Sequence, residues 1–484
     1  MIHERFSAIR VGLALVVFSS LAAFVQAYQA VQDYRQLTYP DLSDIRVPEV
    51  ESVTLCSGMR LFLLADNELP LIKISAVIRV GSIYEPVDKT GLAAITGAVM
   101  RTGGTAAKTG DELDRELESI AASVETGIGL DSGGASVSVL KEDIDTGLAI
   151  LADVLMNPAF REDKILLAKM QMRSAVSRRN DSAGGIGSRE FGRLIYGPNS
   201  VYARQVEYAT IDAITRDDLV AFHRRYFGPN NMMVAAWGGF TTKEMIEKIR
   251  KAFEGWTRVE PVPPESPDVN YEYRRTVNLV PKTGVNQSSI ILGHIGGRMN
   301  DPDYYALSVM NQIFDASFTG RLFKNVRSRQ GLAYSVGGSY GMHYCHPGTF
   351  SIRCQTKSES TIRAIRALID EVRKIRQEEV TAEELATAKE SYLNSFVFNF
   401  DTESEIVNRV MAYEYYGYPA DFLQRTKRGI EEVTKADILR VAGAHLHPDE
   451  LQILVVGRPE DFDEPLSVLG PVKEIDVTIP PPRQ

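Results

Sequence analysis

Cysteine is nearly absent: three residues in 484, Cys56, Cys345 and Cys354. That is too few for a disulfide scaffold. Cys345 and Cys354 flank His346-Pro347-Gly348 asymmetrically, so the spacing predicts three free thiols rather than a bridged hairpin. A basic excess is also lacking. Lys and Arg number 54 against 63 Asp and Glu, a net charge of −9, which gives nucleic acid no electrostatic footprint. Long apolar runs are missing except at the start. Val11–Val25 follows Arg5 and Arg10, and 15 residues suit a signal core better than a membrane span of about 20. Val25-Gln26-Ala27 supplies small residues for cleavage after Ala27. The expected location is the periplasm or outside the cell, with no stable membrane span after cleavage. The alternative is an uncleaved anchor.

Proline is concentrated where structure must stop. Val259–Pro267 holds four prolines in nine residues, which no helix or central strand tolerates. It divides two similar halves. Ile214–Leu219 resembles Val433–Ile438, Pro229 matches Pro448 and Gly238 matches Gly457, all at an offset of 219. Gly81 and Pro86 match Gly297 and Pro302 at an offset of 216. This predicts an internal duplication. Residues 1–27 read as the signal, 28–47 as a lead-in and 48–258 as the first domain. Residues 259–269 read as the linker, 270–470 as the second domain and 471–484 as a tail.

Leu71–Val80, Met233–Gly238 and Leu451–Gly457 read as strands from their β-branched and apolar content. Ser360–Arg376 and Thr381–Phe400 read as helices, with Thr381 and Glu384 at capping-box spacing. Clustered strands between helices predict an α+β class: two tandem homologous domains, each an antiparallel sheet covered by helices. Gly103-Gly104 reads as a helix cap, and Asp181–Gly185 as a flexible turn.

Several segments carry a resemblance. Pro48–Leu55, Gly58, Asn67–Leu71, Arg79–Pro86 and Gly91-Leu92-Ala93 resemble the pitrilysin, insulinase and mitochondrial-processing-peptidase family of zinc metallopeptidases. Asp217–Leu219, Pro229–Asn231, Asp301–Leu307, Gly320–Phe323 and Gly331–Val336 extend the match over about residues 45–460. The family places His-x-x-Glu-His directly after Gly-Leu-Ala. Two histidines four apart on a helix bind zinc, and the glutamate activates zinc-bound water. Here those positions are Ala94, Gly97 and Ala98. The family's third ligand, a downstream glutamate, aligns near Ser174, and no Asp or Glu occurs between Asp163 and Asp181. The resemblance therefore implies a non-catalytic member, a pseudoenzyme without a zinc site.

The other histidines offer no replacement. His343 and His346 flank a turn, His223 and His294 stand alone, and His445 and His447 have no nearby Cys or third His to complete a tetrahedron. No metal and no cofactor are expected on this chain. One family element is kept: Arg327 and Tyr334, seven apart, which in the family reach across a clamshell towards the scissile peptide. Donors of this kind hold a carbonyl and its developing oxyanion. Their plain reading is a surface arginine and a half-buried strand tyrosine. Arg329 is the rival if the register shifts. These features lead to a secreted, non-catalytic subunit that binds peptide and complements a zinc-bearing paralogue in a heterodimer. The alternative is a peptide-binding scaffold with no protease partner. A lone hydrolase of other chemistry has no nucleophile motif to support it.

Overall fold

The structure, a computed structural model, describes residues 48–262, 266–316 and 318–482. The signal and lead-in of residues 1–47 lie outside the described residues.

The first sheet is built from β1 (Glu51–Thr54), β2 (Arg60–Ala65), β3 (Leu71–Ile78), β4 (Ser123–Ile128), β5 (Gly133–Leu140) and β6 (Met232–Gly238), in the order β1-β2-β6-β3-β5-β4. The second contains β7 (Thr276–Pro281), β8 (Gln287–Ile295), β9 (Gly297–Arg298), β10 (Ser335–His343), β11 (Pro347–Lys357), β12 (Gln452–Gly457) and β13 (Val472–Glu474), in the order β13-β7-β12-β8-β11-β10-β9. The run β2-β6-β3-β5-β4 repeats as β7-β12-β8-β11-β10. The duplication read from sequence is thus a duplication of topology. Thr215–Asp218 and Thr434–Asp437, 219 residues apart, form the same capping box at the start of equivalent helices.

The first sheet is antiparallel except where β2 runs parallel to β6; the second is mixed rather than antiparallel, with β7 parallel to β12 and to β13, and β9 parallel to β10. In each half the last long strand inserts beside the first after a helical crossover, the connection that parallel neighbours require. The helices fall close to expectation at Thr361–Gln377 and Ala382–Phe396, the latter capped by Thr381 and Glu384. Two local readings are corrected. Asp181–Gly185 is not a loop: Ser182 caps the helix Ala183–Tyr196 by accepting from the Gly185 amide, so the glycines form its first turn. Residues 472–474 of the tail join the second sheet as β13.

Each half lends one helix to the other. Ile186, Phe191 and Ile195 of Ala183–Tyr196 pack on Ile291, Leu454 and Val456 of the second sheet. Ile406, Val407 and Met411 of Glu403–Tyr416 pack on Phe62, Leu64, Ala235 and Trp237 of the first. With its own helices on the opposite face, each sheet is buried on both sides. That explains why β6 and β12 read as continuous apolar runs rather than alternating ones. All three cysteines are free, and Cys354 pairs across the ladder with Val336, away from Cys345.

Candidate functional site

The helix in the zinc-helix position spans Leu92–Thr102. Its N-cap, Gly91, has a φ of 109° and no side chain to offer. Glu85 supplies the cap instead: its carboxylate accepts from the Gly91 amide at 3.0 Å and the Ala93 amide at 2.9 Å. Glu85 is 5% exposed, and burial raises its pKa despite those amides and Arg204 at 3.9 Å. At the other end Arg101 donates to the Val124 carbonyl and pairs with Asp114. The helix is therefore fixed against the edge strand β4.

Ala94 and Ala98 are exposed, four apart on one side of this helix. Gly97 is buried, and a Cβ placed there would lie 2.5 Å from the Ile128 nitrogen and 2.8 Å from the Gly127 carbonyl carbon. Thr126 closes the contact by donating to the Gly97 carbonyl at 2.7 Å. The volume a glutamate would need is thus filled by the backbone of β4. Ala94 and Ala98 have no lone pair, and Gly97 has neither a base nor room for one. These residues do not fit a zinc ion.

Ser174 lies on the neighbouring helix Glu162–Ser177, which runs antiparallel alongside: Met172 packs near Gly91, and Arg161 donates to the Gly103 carbonyl. Ser174 itself is exposed, and its hydroxyl accepts from Arg178 at 3.0 Å. The same helix exposes Leu166, Leu167 and Met170.

Arg327 and Tyr334 sit elsewhere, in the second half. Arg327 is carried not by a strand but by a π-helix, Leu322–Arg329, a geometry frequent at functional sites. Its guanidinium stacks over Phe323 at 4.8 Å and has no hydrogen-bond acceptor among the described residues. Tyr334 stands just before β10, 70% exposed rather than half-buried. Arg329 is spent locally, donating to Asn325. The stretch around Arg321 has a structural role that sequence reasoning missed. Arg321 grips Glu384 with two bonds, at 2.7 and 2.9 Å, tying the π-helix to Ala382–Phe396. This pairing, first of all, holds the Glu384 carboxyl down at about 2.

Among the described residues one group of donors meets by distance: Asp301, Asp303 and His445, within 4.8 Å of one another. Asp301 and Asp303, far from His445 in sequence, reach it only through the fold. A cation already occupies Asp303, however: Arg440 lies 2.8 Å away, with His445 on the other oxygen at 2.7 Å. His294 is fully buried, bonded through Nδ1 to the Ile295 carbonyl and through Nε2 to the His447 amide. Gly337-Gly338-Ser339-Tyr340-Gly341 does fit the spacing of a nucleophile elbow, but Ser339 lies mid-strand in β10 opposite Ser351, not at a strand-to-helix turn.

The sequence pattern of the insulinase (peptidase M16) family matches residues 62–183, and that of the peptidase M16 inactive domain matches residues 213–392. Together they cover most of the described chain. The chain belongs to the M16 peptidase family. Its M16 relatives include an uncharacterized zinc protease of Streptomyces coelicolor, 24% identical over 342 residues that span 69% of this chain and 71% of that one. The uncharacterized zinc protease YmxG of Bacillus subtilis is 22% identical over 362 residues, 74% of this chain and 87% of its own. Among solved structures, the peptidase M16 inactive domain from Pseudomonas fluorescens superposes with a TM-score of 0.74 at 23% identity, covering 85% of this chain and 98% of its own. A protease from Helicobacter pylori gives 0.74 at 18%, covering 85% and 100%. The chain therefore has the M16 fold of two tandem α+β domains.

Proposed function

We propose that this chain is the non-catalytic subunit of a secreted or periplasmic zinc-peptidase pair. It binds peptide and presents Arg327 and Tyr334 to the zinc site of a paralogous partner. The observation that carries this reading is a contrast within one chain. At the helix Leu92–Thr102 the base's place is closed by backbone, whereas Arg327 and Tyr334 remain exposed and Arg327 has no ion-pair partner among the described residues. An exposed guanidinium and an exposed phenol are donors suited to oxyanion stabilisation in trans. β4 supports the peptide-binding part. It is an edge strand paired only with β5 among the described residues, the kind of edge an extended peptide can join.

This chain then carries no catalytic zinc, and the metal belongs to the partner. Among the described residues no helix is long and apolar enough to cross a membrane. The test is reconstitution: the mature chain, a zinc-bearing paralogue and their mixture are assayed on unstructured peptides. The expected result is chelator-sensitive cleavage by the pair and none by this chain alone. Cleavage by this chain alone would overturn the proposal. Peptide binding with no gain on mixing would favour the scaffold reading.

A further inference from the structure

The helix Glu162–Ser177 turns an apolar stripe towards solvent. Leu166 is 60% exposed, Leu167 47% and Met170 57%, three large apolar side chains within five residues. The internal duplication shows that the fold does not require them. The second half's equivalent helix is Ala382–Phe396. At an offset of 220, Ala168, Met172 and Val176 face inward as Ala388, Tyr392 and Phe396 do. At the same offset Leu166, Leu167 and Met170 correspond to Ala386, Thr387 and Glu390, which are exposed as well. One copy of the helix keeps a solvated face; the other exposes apolar surface of the kind that marks an interface. The remaining outward positions between Leu166 and Ala175 are Gln171 and Ser174, also uncharged. Lys169 and Arg173 turn aside, to the Ile214 carbonyl and to Asp212. Opposite charges bracket the stripe. Asp163 at one end and Arg178 at the other are both exposed, and neither has an ion-pair partner among the described residues. The Arg178 guanidinium donates to the Ser174 hydroxyl.

We infer that this face is a homodimer interface, on which a second copy of the chain docks the same helix antiparallel, about a two-fold axis at Met170 and Gln171. A two-fold contact sets a surface against itself, so the stripe must be complementary to its own reverse. Turned about that axis, Asp163 of one copy comes level with Arg178 of the other, at both ends of the contact. Leu166 comes level with Ala175 and Leu167 with Ser174, large against small. A parallel pair would instead set Asp163 on Asp163, Arg178 on Arg178 and leucine on leucine. The occupant is a helix and not an extended peptide. A peptide strand needs backbone partners, and a helix has already bonded its own backbone groups internally. The 16-residue helix is about 24 Å long. One helix stripe falls short of the roughly 800 Å² per partner of a standard interface. The dimer is therefore a weak one, of micromolar Kd, formed as concentration rises. It involves neither Arg327 nor Tyr334, and it stands apart from the proposed peptidase pair.

The test is sedimentation equilibrium of the mature chain by itself, from low to high micromolar concentration. The expected result is a reversible monomer–dimer equilibrium. Met170→Glu sets two carboxylates at the axis and should abolish the dimer, while leaving the circular dichroism of the monomer unchanged because the site is exposed. Asp163→Arg and Arg178→Asp should each weaken self-association by about tenfold, since both ends then bring like charges together. An equimolar mixture of these two variants should recover the natural affinity, because in the mixed dimer each end again faces its opposite. That recovery is specific to this helix pairing antiparallel with itself. Should Met170→Glu not fold, the charge reversals and their mixture decide alone. A chain that stays monomeric throughout, a dimer indifferent to a folded Met170→Glu, or no recovery on mixing would overturn the interface. So would a monomeric chain in which Met170→Glu abolishes binding of an unstructured peptide or of a zinc-bearing paralogue, since the face would then have another occupant. Self-association is read without a partner or peptidase activity, so its failure leaves the proposed pair to its own test.

Discussion

Replacing Gly97 by alanine separates two accounts of the degenerate helix by the sign of the effect. At an ordinary interior helical position, glycine to alanine stabilises by about 1 kcal/mol, because alanine has the better helix propensity. At Gly97 the new methyl would sit 2.5 Å from the Ile128 nitrogen, 2.8 Å from the Gly127 carbonyl carbon and 3.0 Å from the Gly127 Cα. Carbon contacts relax only near 3.5–4.0 Å, and all three atoms are backbone, held in the β4–β5 ladder. Either helix or strand must move by about 1 Å. Overpacking of this kind costs about 1–3 kcal/mol, so the net expectation is a loss of up to about 2 kcal/mol. Urea unfolding followed by circular dichroism measures it, with Gly443→Ala as control: that helical glycine has nothing within 4 Å of its Cβ position and should follow propensity. If Gly97→Ala stabilises as Gly443→Ala does, β4 does not close the base's place. Gly97→Glu should be worse still. Restoring Ala94→His, Gly97→Glu, Ala98→His and Ser174→Glu together is then expected to yield no zinc peptidase, because the missing ingredient is space as well as ligands.

Other outcomes follow from the packing and the charges. Phe191→Ala empties the contact that the Ala183–Tyr196 helix makes with the second sheet and should cost about 3–5 kcal/mol in urea unfolding. Arg321→Ala leaves Glu384 without its bidentate partner and should cost about 1–3 kcal/mol. Glu384 is depressed in the folded state, so its contribution is present above its ordinary value of 4.5 and lost as pH falls towards about 2; Glu384→Gln should flatten that part of the acid limb. His294, buried and neutral, is lowered from 6.5 to about 3. Its contribution is complete above pH 6.5 and drains as pH falls towards 3, at up to about 1.4 kcal/mol per pH unit. His294→Phe should remove that slope from a plot of urea midpoint against pH, while lowering stability at neutral pH because the His447 amide loses its acceptor.

The fold was largely legible because its signals are local or repeated. The capping boxes at Thr381, Thr215 and Thr434 mark helix starts by side-chain chemistry, and the offset of 219 exposes the duplication without any knowledge of contacts. What sequence could not supply is whatever the tertiary fold decides. Nothing in Ile186, Phe191 or Ile406 states that their helices pack on the other half's sheet. Gly97 read as a missing base and not as a point of helix-to-strand contact. Glu85 stood inside a quoted motif beside Gly91, and a helix opening on glycine is itself a signal that a cap must come from elsewhere. Sequence carried no sign that Arg327 sits on a π-helix, which leaves Arg329 bonded to Asn325. Ser182 was hidden by the two glycines that follow it, since glycine reads as a loop unless the cap is recognised first.

The proposed pair requires that this chain act on its partner's substrate. The most direct measurement is kcat of the reconstituted pair containing either the natural chain or Arg327→Ala. Losing one oxyanion donor costs about 10²–10³ in rate. A fall of that order is expected, with assembly and partner zinc unchanged, and a much smaller effect for Arg329→Ala, whose side chain is held by Asn325. An unchanged kcat for the Arg327→Ala pair, or a loss explained entirely by failure to assemble, would contradict it.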